Sequence, residues 1–120
     1  MQLPTPKLCK TLKDEDAFRD WYNAILRQLG FWIYTIRNVE TLTLKPFDSI
    51  GSFPDWLWLA IEYKMINHKK SNIRKALRPH QRKNLKEFTW KSVVIVYNRN
   101  IISYRIFDIN EIVDEQIKIF

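Results

Sequence analysis

Apolar side chains recur at helical spacing near the amino terminus. The series is spaced by three or four residues and contains Phe18, Tyr22, Ile25 and Leu29. This spacing places the apolar side chains on one helix face. Acidic residues precede the series, and Gly30 directly follows it, as is typical of a helix start and a helix stop. The pattern therefore predicts a helix from about Asp14 to Leu29.

Short apolar runs in the rest of the chain predict strands, because they are rich in β-branched and aromatic residues. The predicted strands are Phe31–Arg37, Leu42–Phe47, Trp56–Lys64, Ser92–Tyr97 and Ile101–Phe107. Further helices are predicted at Pro79–Phe88 and from about Asn110. The resulting order, αβββαββα, indicates an α/β fold in which helices flank a mixed sheet.

Length and composition narrow the possibilities further. The chain of 120 residues predicts a single domain, residues 1–120, with residues 1–12 as an extended or flexible arm. The single cysteine, Cys9, excludes an intramolecular disulfide and a zinc site with four thiolates. No apolar run approaches the roughly 20 residues of a membrane helix. We therefore expect a cytoplasmic protein that does not bind membranes.

The charge distribution favours a polyanionic partner. The formal net charge is +7, and the segment from Lys64 to Lys91 carries ten basic residues against one acidic residue. A local positive field of this kind attracts nucleic acid through counterion release, although a basic segment can also be simply solvated. The candidate DNA-binding residues are Lys69, Lys70, Arg74, Lys75, Arg78, Arg82, Lys83 and Lys86.

Candidate metal chemistry begins at the end of the third predicted strand. Because side chains alternate along a strand, Glu62 and Lys64 share one face. A carboxylate beside an ammonium at the end of an apolar strand is costly to bury without a bound polar group. One interpretation is a divalent metal held by Glu62 and by the backbone carbonyl of Tyr63. The alternative is a solvated salt bridge at the strand end.

Two aspartates could provide the second carboxylate. Asp55 lies seven residues before Glu62, and seven residues of extended chain span about 23 Å. Asp48 precedes Gly51, and a hairpin at the Gly51–Pro54 turn would return Asp48 to the side of Glu62. The spacing therefore favours Asp48 and leaves Asp55 as the alternative. Either aspartate could instead cap the local backbone of a turn.

The arrangement of Asp48, the Glu62-Tyr63-Lys64 run and Gln81 resembles the PD-(D/E)XK nuclease superfamily. Within that superfamily it is similar to the RecU/Hjc-type Holliday junction resolvases. The resemblance covers roughly residues 14–107 and implies a restriction-endonuclease-like fold. It also implies that Asp48 and Glu62 hold Mg²⁺, with Mn²⁺ as a possible substitute, and that no small-molecule cofactor is needed. Lys64 would orient or deprotonate the attacking water.

The same resemblance assigns roles to residues of the two helices. Glu15 is in phase with the apolar face of the first helix and would point into the site, whereas Gln81 would steer Lys64 or the scissile phosphate. The implied function is a Mg-dependent endonuclease of branched DNA, most often four-way junctions, acting in DNA recombination and repair. Symmetric incision implies a homodimer. Candidate interface residues are Ile112, Ile117, Ile119 and Phe120.

Two other functions remain open at this point. The same metal site could serve a flap, single-strand or nonspecific nuclease, and the chain could also be a nucleic-acid-binding module without catalysis. The tryptophans do not separate these possibilities, because most of them fall in apolar segments and are expected in the core. They are Trp21, Trp32, Trp56, Trp58 and Trp90.

Overall fold

The computed structural model describes residues 2–36, 45–66 and 77–112. The strands in these ranges are β1 (Trp32–Thr35), β2 (Ser49–Ser52), β3 (Trp58–Ile66), β4 (Lys91–Asn98) and β5 (Ser103–Asp108). The helices are α1 (Glu15–Gln28) and α2 (Pro79–Glu87), and Ile109–Glu111 forms a 3-10 turn. The predicted α/β class is confirmed. Where a helix was predicted from about Asn110, the described residues form the 3-10 turn, and residues 113–120 lie outside the described ranges.

The five strands form one mixed sheet in the order β1-β2-β3-β4-β5. Neighbouring strands are antiparallel except β3 and β4, which are parallel. A parallel pair needs a crossover connection, and α2 lies in the connection between these two strands. Side chains of both α1 and α2 contact the central strand β3.

The second strand lies later in the chain than its sequence pattern predicts. Residues 42–44 of the predicted strand Leu42–Phe47 are outside the described ranges, and residues 45–47 form no strand. The strand is Ser49–Ser52 instead, a segment of low β-propensity. Its centre, Gly51, packs so closely on β1 that a Cβ atom would lie 2.3 Å from the Trp32 carbonyl oxygen. Pairing on both sides, together with the absence of a side chain, fixes this strand.

Apolar residues cover both faces of β3 and β4. On the α1 face, Leu59, Ile61 and Tyr63 pack with helix residues such as Phe18. On the α2 face, the core contains Ala60, Val94, Leu85 and Ile112. Ile112 was a candidate for an exposed dimer interface, but it is buried because the 3-10 turn folds it against α2. The other candidates, residues 117, 119 and 120, lie outside the described ranges.

Residues 2–12 contain no helix or strand and pack against the α1 face. Leu3, Leu8 and Leu12 are buried in the same apolar cluster as α1. Two buried phenols bind this arm: the Tyr22 hydroxyl donates to the Pro4 carbonyl at 2.7 Å, and the Leu12 amide donates to the Tyr97 hydroxyl at 3.0 Å. The arm and α2 therefore lie on opposite faces of the sheet.

Most of the tryptophans are exposed, contrary to the sequence-based expectation. Trp32, Trp56, Trp58 and Trp90 are 40 to 79% exposed. On the sheet surface, Trp32 stacks near-parallel to Tyr34 and meets Trp58 edge-on. β1 and the start of β3, which carry these three side chains, have one buried face and one open face. An aromatic residue in a strand therefore need not lie in the core. None of the helices in the described ranges could span a membrane.

Candidate metal centre

The β2–β3 hairpin brings Asp48 beside Glu62. The Asp48 amide donates to the Ile61 carbonyl and to the Glu62 Oε2 atom, both at 3.1 Å. In return, the Tyr63 amide donates to Asp48 Oδ2 at 2.7 Å. Both carboxylates are buried. The hairpin that the sequence predicted thus forms, although its turn follows Ser52 and Gly51 belongs to β2. Asp48 lies directly before Ser49, the first residue of β2.

Asp55 lies away from this pair. It belongs to the turn before β3, where its Oδ1 atom accepts a hydrogen bond of 3.4 Å from the Leu57 amide. Four residue steps along β3, from Trp58 to Glu62, separate the end of that turn from Glu62, a distance of about 13 Å along the strand. The structure therefore brings Asp48 to Glu62 and leaves Asp55 in the role of a turn cap.

Glu15 reaches the same edge of β3 from the first turn of α1. Its Oε2 atom accepts a hydrogen bond of 3.1 Å from the Met65 amide. The amides of Tyr63 and Met65 point to the same side of β3, and the Tyr63 carbonyl lies between them, because a strand residue directs its N–H and C=O to one side. Asp48 and Glu15 consequently flank the Tyr63 carbonyl.

Lys64 and Gln81 both approach Glu62 on the α2 face of the sheet. Lys64 Nζ lies 3.6 Å from Glu62 Oε1, and Gln81 Nε2 donates to that same oxygen at 2.8 Å. The Gln81 side-chain oxygen accepts from the Arg78 amide at 3.0 Å, at the start of α2. Gln81 therefore links the helix terminus to the carboxylate and fixes the orientation of both.

Burial sets the proton affinity of this centre. The pKa of Glu62 is raised from 4.5 to about 8, mainly by burial and also by the Asp48 charge, while Lys64 and Lys45 oppose the rise. Burial also raises the pKa of Glu15, whereas the nearby Lys64 ammonium lowers it. A carboxyl group whose pKa is raised by desolvation and by a second carboxylate is typical of a site that binds a cation.

Lys45 is part of the centre, although the sequence analysis did not identify it. Its Nζ atom lies 2.7 Å from Asp48 Oδ1. The available signal was a lysine three residues before the aspartate in Lys45-Pro46-Phe47-Asp48. Reading residues 42–47 as a strand obscured this signal, because strand geometry would have directed the lysine away from Asp48.

Asn23 supports the centre from α1, and it too was missed. The Asn23 amide nitrogen donates to the Ser49 hydroxyl at 3.2 Å, and its oxygen accepts from the Tyr63 hydroxyl. Asn23 is fully buried, and it ties the residues adjacent to Asp48 and Glu62 to one helix. A lone polar residue in the apolar face of α1 was the signal in the sequence.

The oxygen donors of this centre fit a hard divalent cation. Asp48 and Glu62 supply carboxylates and Tyr63 supplies a carbonyl, the donor types that Mg²⁺ prefers. Within the described ranges, no group of three or more His, Cys, Asp or Glu side chains could hold a metal. A metal here would accordingly be held by two carboxylates and a backbone oxygen, with Glu15 outside the direct ligand set.

The basic residues fall partly within the described structure. Lys83 and Lys86 are exposed on α2, and Arg82 is half-buried on the same helix. Arg78, the N-cap residue directly before α2, is also exposed. These residues lie on, or directly before, the helix that also carries Gln81 and covers the α2 face of the centre. The other candidates, residues 69, 70, 74 and 75, lie outside the described ranges.

Comparisons with known proteins agree with this architecture. No protein-family profile and no curated protein matches the chain. Among solved structures, the chain is similar to Hjc, a Holliday junction resolvase from the hyperthermophilic archaeon Archaeoglobus fulgidus. The two share 19% sequence identity with a TM-score of 0.59, over 86% of this chain and 83% of the archaeal chain. The chain therefore has the same mixed-sheet α/β fold as the archaeal protein.

Proposed function

We propose that this protein is a metal-dependent endonuclease of the PD-(D/E)XK superfamily that hydrolyses phosphodiester bonds in branched DNA, with four-way junctions as the preferred substrate. The proposal rests on one observation above all. The buried carboxylates of Asp48 and Glu62 are joined through the Asp48 amide, and an ammonium lies 3.6 Å from the second carboxylate.

The chemical roles follow from this geometry. Asp48, Glu62 and the Tyr63 carbonyl would hold Mg²⁺ or Mn²⁺. When bound, such an ion supplies a Lewis acid that polarises the scissile phosphate. Lys64 Nζ orients the attacking water and offsets negative charge on the phosphate.

Two helix residues position these groups. Gln81 holds Glu62 Oε1 by its amide nitrogen and is itself fixed at the start of α2. Glu15 anchors the Met65 amide, which fixes the strand edge beside the Tyr63 carbonyl and adds negative charge close to the cation. We assign both residues to positioning and electrostatic roles.

The substrate and assembly are inferred from the fold and the charge. The archaeal protein with the same fold is a Holliday junction resolvase, and a net charge of +7 favours a polyanionic partner. A four-way junction needs two symmetric incisions, and one centre in each chain implies a homodimer on such a substrate.

The test is cleavage of labelled four-way junction, flap and linear duplex, with Mg²⁺ and with EDTA. We expect the wild-type protein to cut the junction in preference to the duplex, and only with the metal. Asp48→Asn and Glu62→Gln should each lower the cleavage rate by about 100-fold or more, as expected when one metal ligand is lost.

Asp55→Asn is the matched control, because it makes the same change in the β2–β3 turn outside the centre, and it should cut at the wild-type rate. Equal cutting of duplex and junction at matched salt would indicate a nuclease of broader substrate range. Binding of DNA without cleavage under any metal condition would indicate a binding module and contradict the proposal.

A further inference from the structure

The ammonium of Lys45 lies against the open oxygen of Asp48. Tyr63 already binds Asp48 Oδ2 through its amide, so Oδ1 is the oxygen that remains for a cation. Lys45 Nζ lies 2.7 Å from that Oδ1 atom. The distance is that of a direct charged hydrogen bond. Lys45 is therefore bound to the oxygen atom that would have to coordinate a metal.

The two lysines of the centre differ in how they are held. Lys64 belongs to β3, and its side chain is 11% exposed, 3.6 Å from Glu62. Lys45 lies outside any strand, and its side chain is 27% exposed. Withdrawal of Lys45 into solvent would break no strand pairing. Lys45 is thus the cation that can leave while the sheet stays intact.

The charge balance of the centre favours withdrawal of Lys45 when a metal binds. With all groups ionised, Glu15, Asp48 and Glu62 carry three negative charges, and Lys45 and Lys64 carry two positive charges. The net charge is −1. A divalent cation added to this set brings the net charge to +1 with Lys45 in place and to zero with Lys45 withdrawn, and like charges a few ångströms apart repel strongly at a buried site.

We propose that Lys45 is an internal competitor for the metal: it neutralises Asp48 in the metal-free protein and must release Oδ1 when a divalent cation binds. The inference depends on the proposed function, since it assumes that Asp48 is a metal ligand. It assigns Lys45 to the control of metal loading, and it predicts that removing the ammonium improves metal binding.

The test measures binding of Mn²⁺ directly, by electron paramagnetic resonance of the free ion, in the absence of DNA. Lys45→Met should bind Mn²⁺ about fivefold more tightly than the wild-type protein, which corresponds to the loss of one partly exposed ion pair. Lys45→Arg retains the charge and should restore the wild-type affinity. Lys91→Met is the matched control, because Lys91 pairs with Asp108 at 3.7 Å in a different part of the molecule.

Thermal unfolding provides a second readout. In EDTA, Lys45→Met should unfold at a lower temperature than the wild-type protein, because Asp48 loses its partner. Saturating Mn²⁺ should raise its melting temperature by more than it raises that of the wild-type protein.

The possible results separate the inference from the function on which it rests. Unchanged or weaker Mn²⁺ binding in a folded Lys45→Met variant would overturn the role of Lys45, while tight binding by the wild-type protein would leave the metal centre intact. If neither protein binds Mn²⁺ and Asp48→Asn has the same lack of binding, the assignment of the metal centre itself is wrong.

Discussion

At the scale of single residues, the centre depends on carboxylates whose positions follow from strand periodicity. The period of two predicted that Glu62 and Lys64 share a face, and the distance along an extended chain favoured Asp48 over Asp55. The structure has the same arrangement. Lys45 could not be placed in this way, because its contact with Asp48 depends on an irregular segment to which no periodicity applies.

The raised pKa of Glu62 predicts how stability depends on pH. Glu62 titrates at 4.5 when unperturbed and at about 8 in the folded protein, so the folded state binds the proton more tightly than the unfolded state. Its stabilising contribution is fully present below about pH 4.5 and is lost as the pH rises through about 8. Without metal, the free energy of unfolding should fall over this range by up to roughly 1.4 kcal/mol per pH unit.

Urea unfolding in EDTA at several pH values measures this dependence. Glu62→Ala should flatten the decline between pH 5 and pH 8, leaving a smaller slope from Glu15, whose pKa is raised in the same direction. Glu87→Ala removes an exposed carboxylate that pairs loosely with Lys83, and it should leave the slope unchanged. A wild-type stability that stays constant across this range would contradict the assignment.

At the scale of elements, the strong apolar patterns predicted the structure and the weak ones did not. The helix predicted over residues 14–29 forms as Glu15–Gln28, and the apolar run at 92–97 forms β4. Strand β2, in contrast, consists of Ser-Ile-Gly-Ser, which has little intrinsic preference for a strand. Its structure comes from pairing with β1 and β3, which a local pattern cannot represent.

Gly51→Ala tests how closely β1 and β2 must approach. A Cβ atom at Gly51 would lie 2.3 Å from the Trp32 carbonyl oxygen and 2.5 Å from Ile33 Cδ1. The first of these contacts is with backbone, which cannot rotate away, so the two strands must separate. We expect a loss of about 2 to 3 kcal/mol in the free energy of unfolding, measured with urea.

The position of Gly51 links this loss to the metal centre. Asp48 precedes β2 directly, so a displaced strand should also weaken Mn²⁺ binding. Ser103→Ala is a small change in β5, on the other edge strand, and should alter stability by less than about 0.5 kcal/mol. Wild-type stability in Gly51→Ala would mean that β1 and β2 are not packed at this distance.

At the scale of the whole molecule, the sheet collects groups from both of its faces. Glu15 comes from α1 on one face and binds the Met65 amide of β3. Gln81 comes from α2 on the other face and binds the Glu62 carboxylate. The pattern of elements predicted the mixed sheet and its flanking helices. It did not predict Asn23, since a buried amide that joins α1 to Ser49 and Tyr63 is defined only once the layers are packed.

The basic residues on the α2 face predict how the affinity for DNA depends on salt concentration. Lys83 and Lys86 are exposed on α2, and Arg78 is exposed at its N-cap. If they contact phosphates, their joint replacement by alanine should reduce the slope of log K against log salt concentration by about 2 to 3, because each lost phosphate contact removes about 0.9. Fluorescence anisotropy with a labelled four-way junction in EDTA measures the slope without cleavage.

A charge-matched control uses the opposite face. Lys7, Lys10 and Lys13 are exposed on or beside the arm that packs against the α1 face. Their joint replacement removes the same three charges, so both variants have a formal net charge of +4 instead of +7. If DNA binds along α2, only the helix variant should lose slope. Equal losses in the two variants would mean that net charge alone attracts DNA and that α2 provides no binding surface next to the centre.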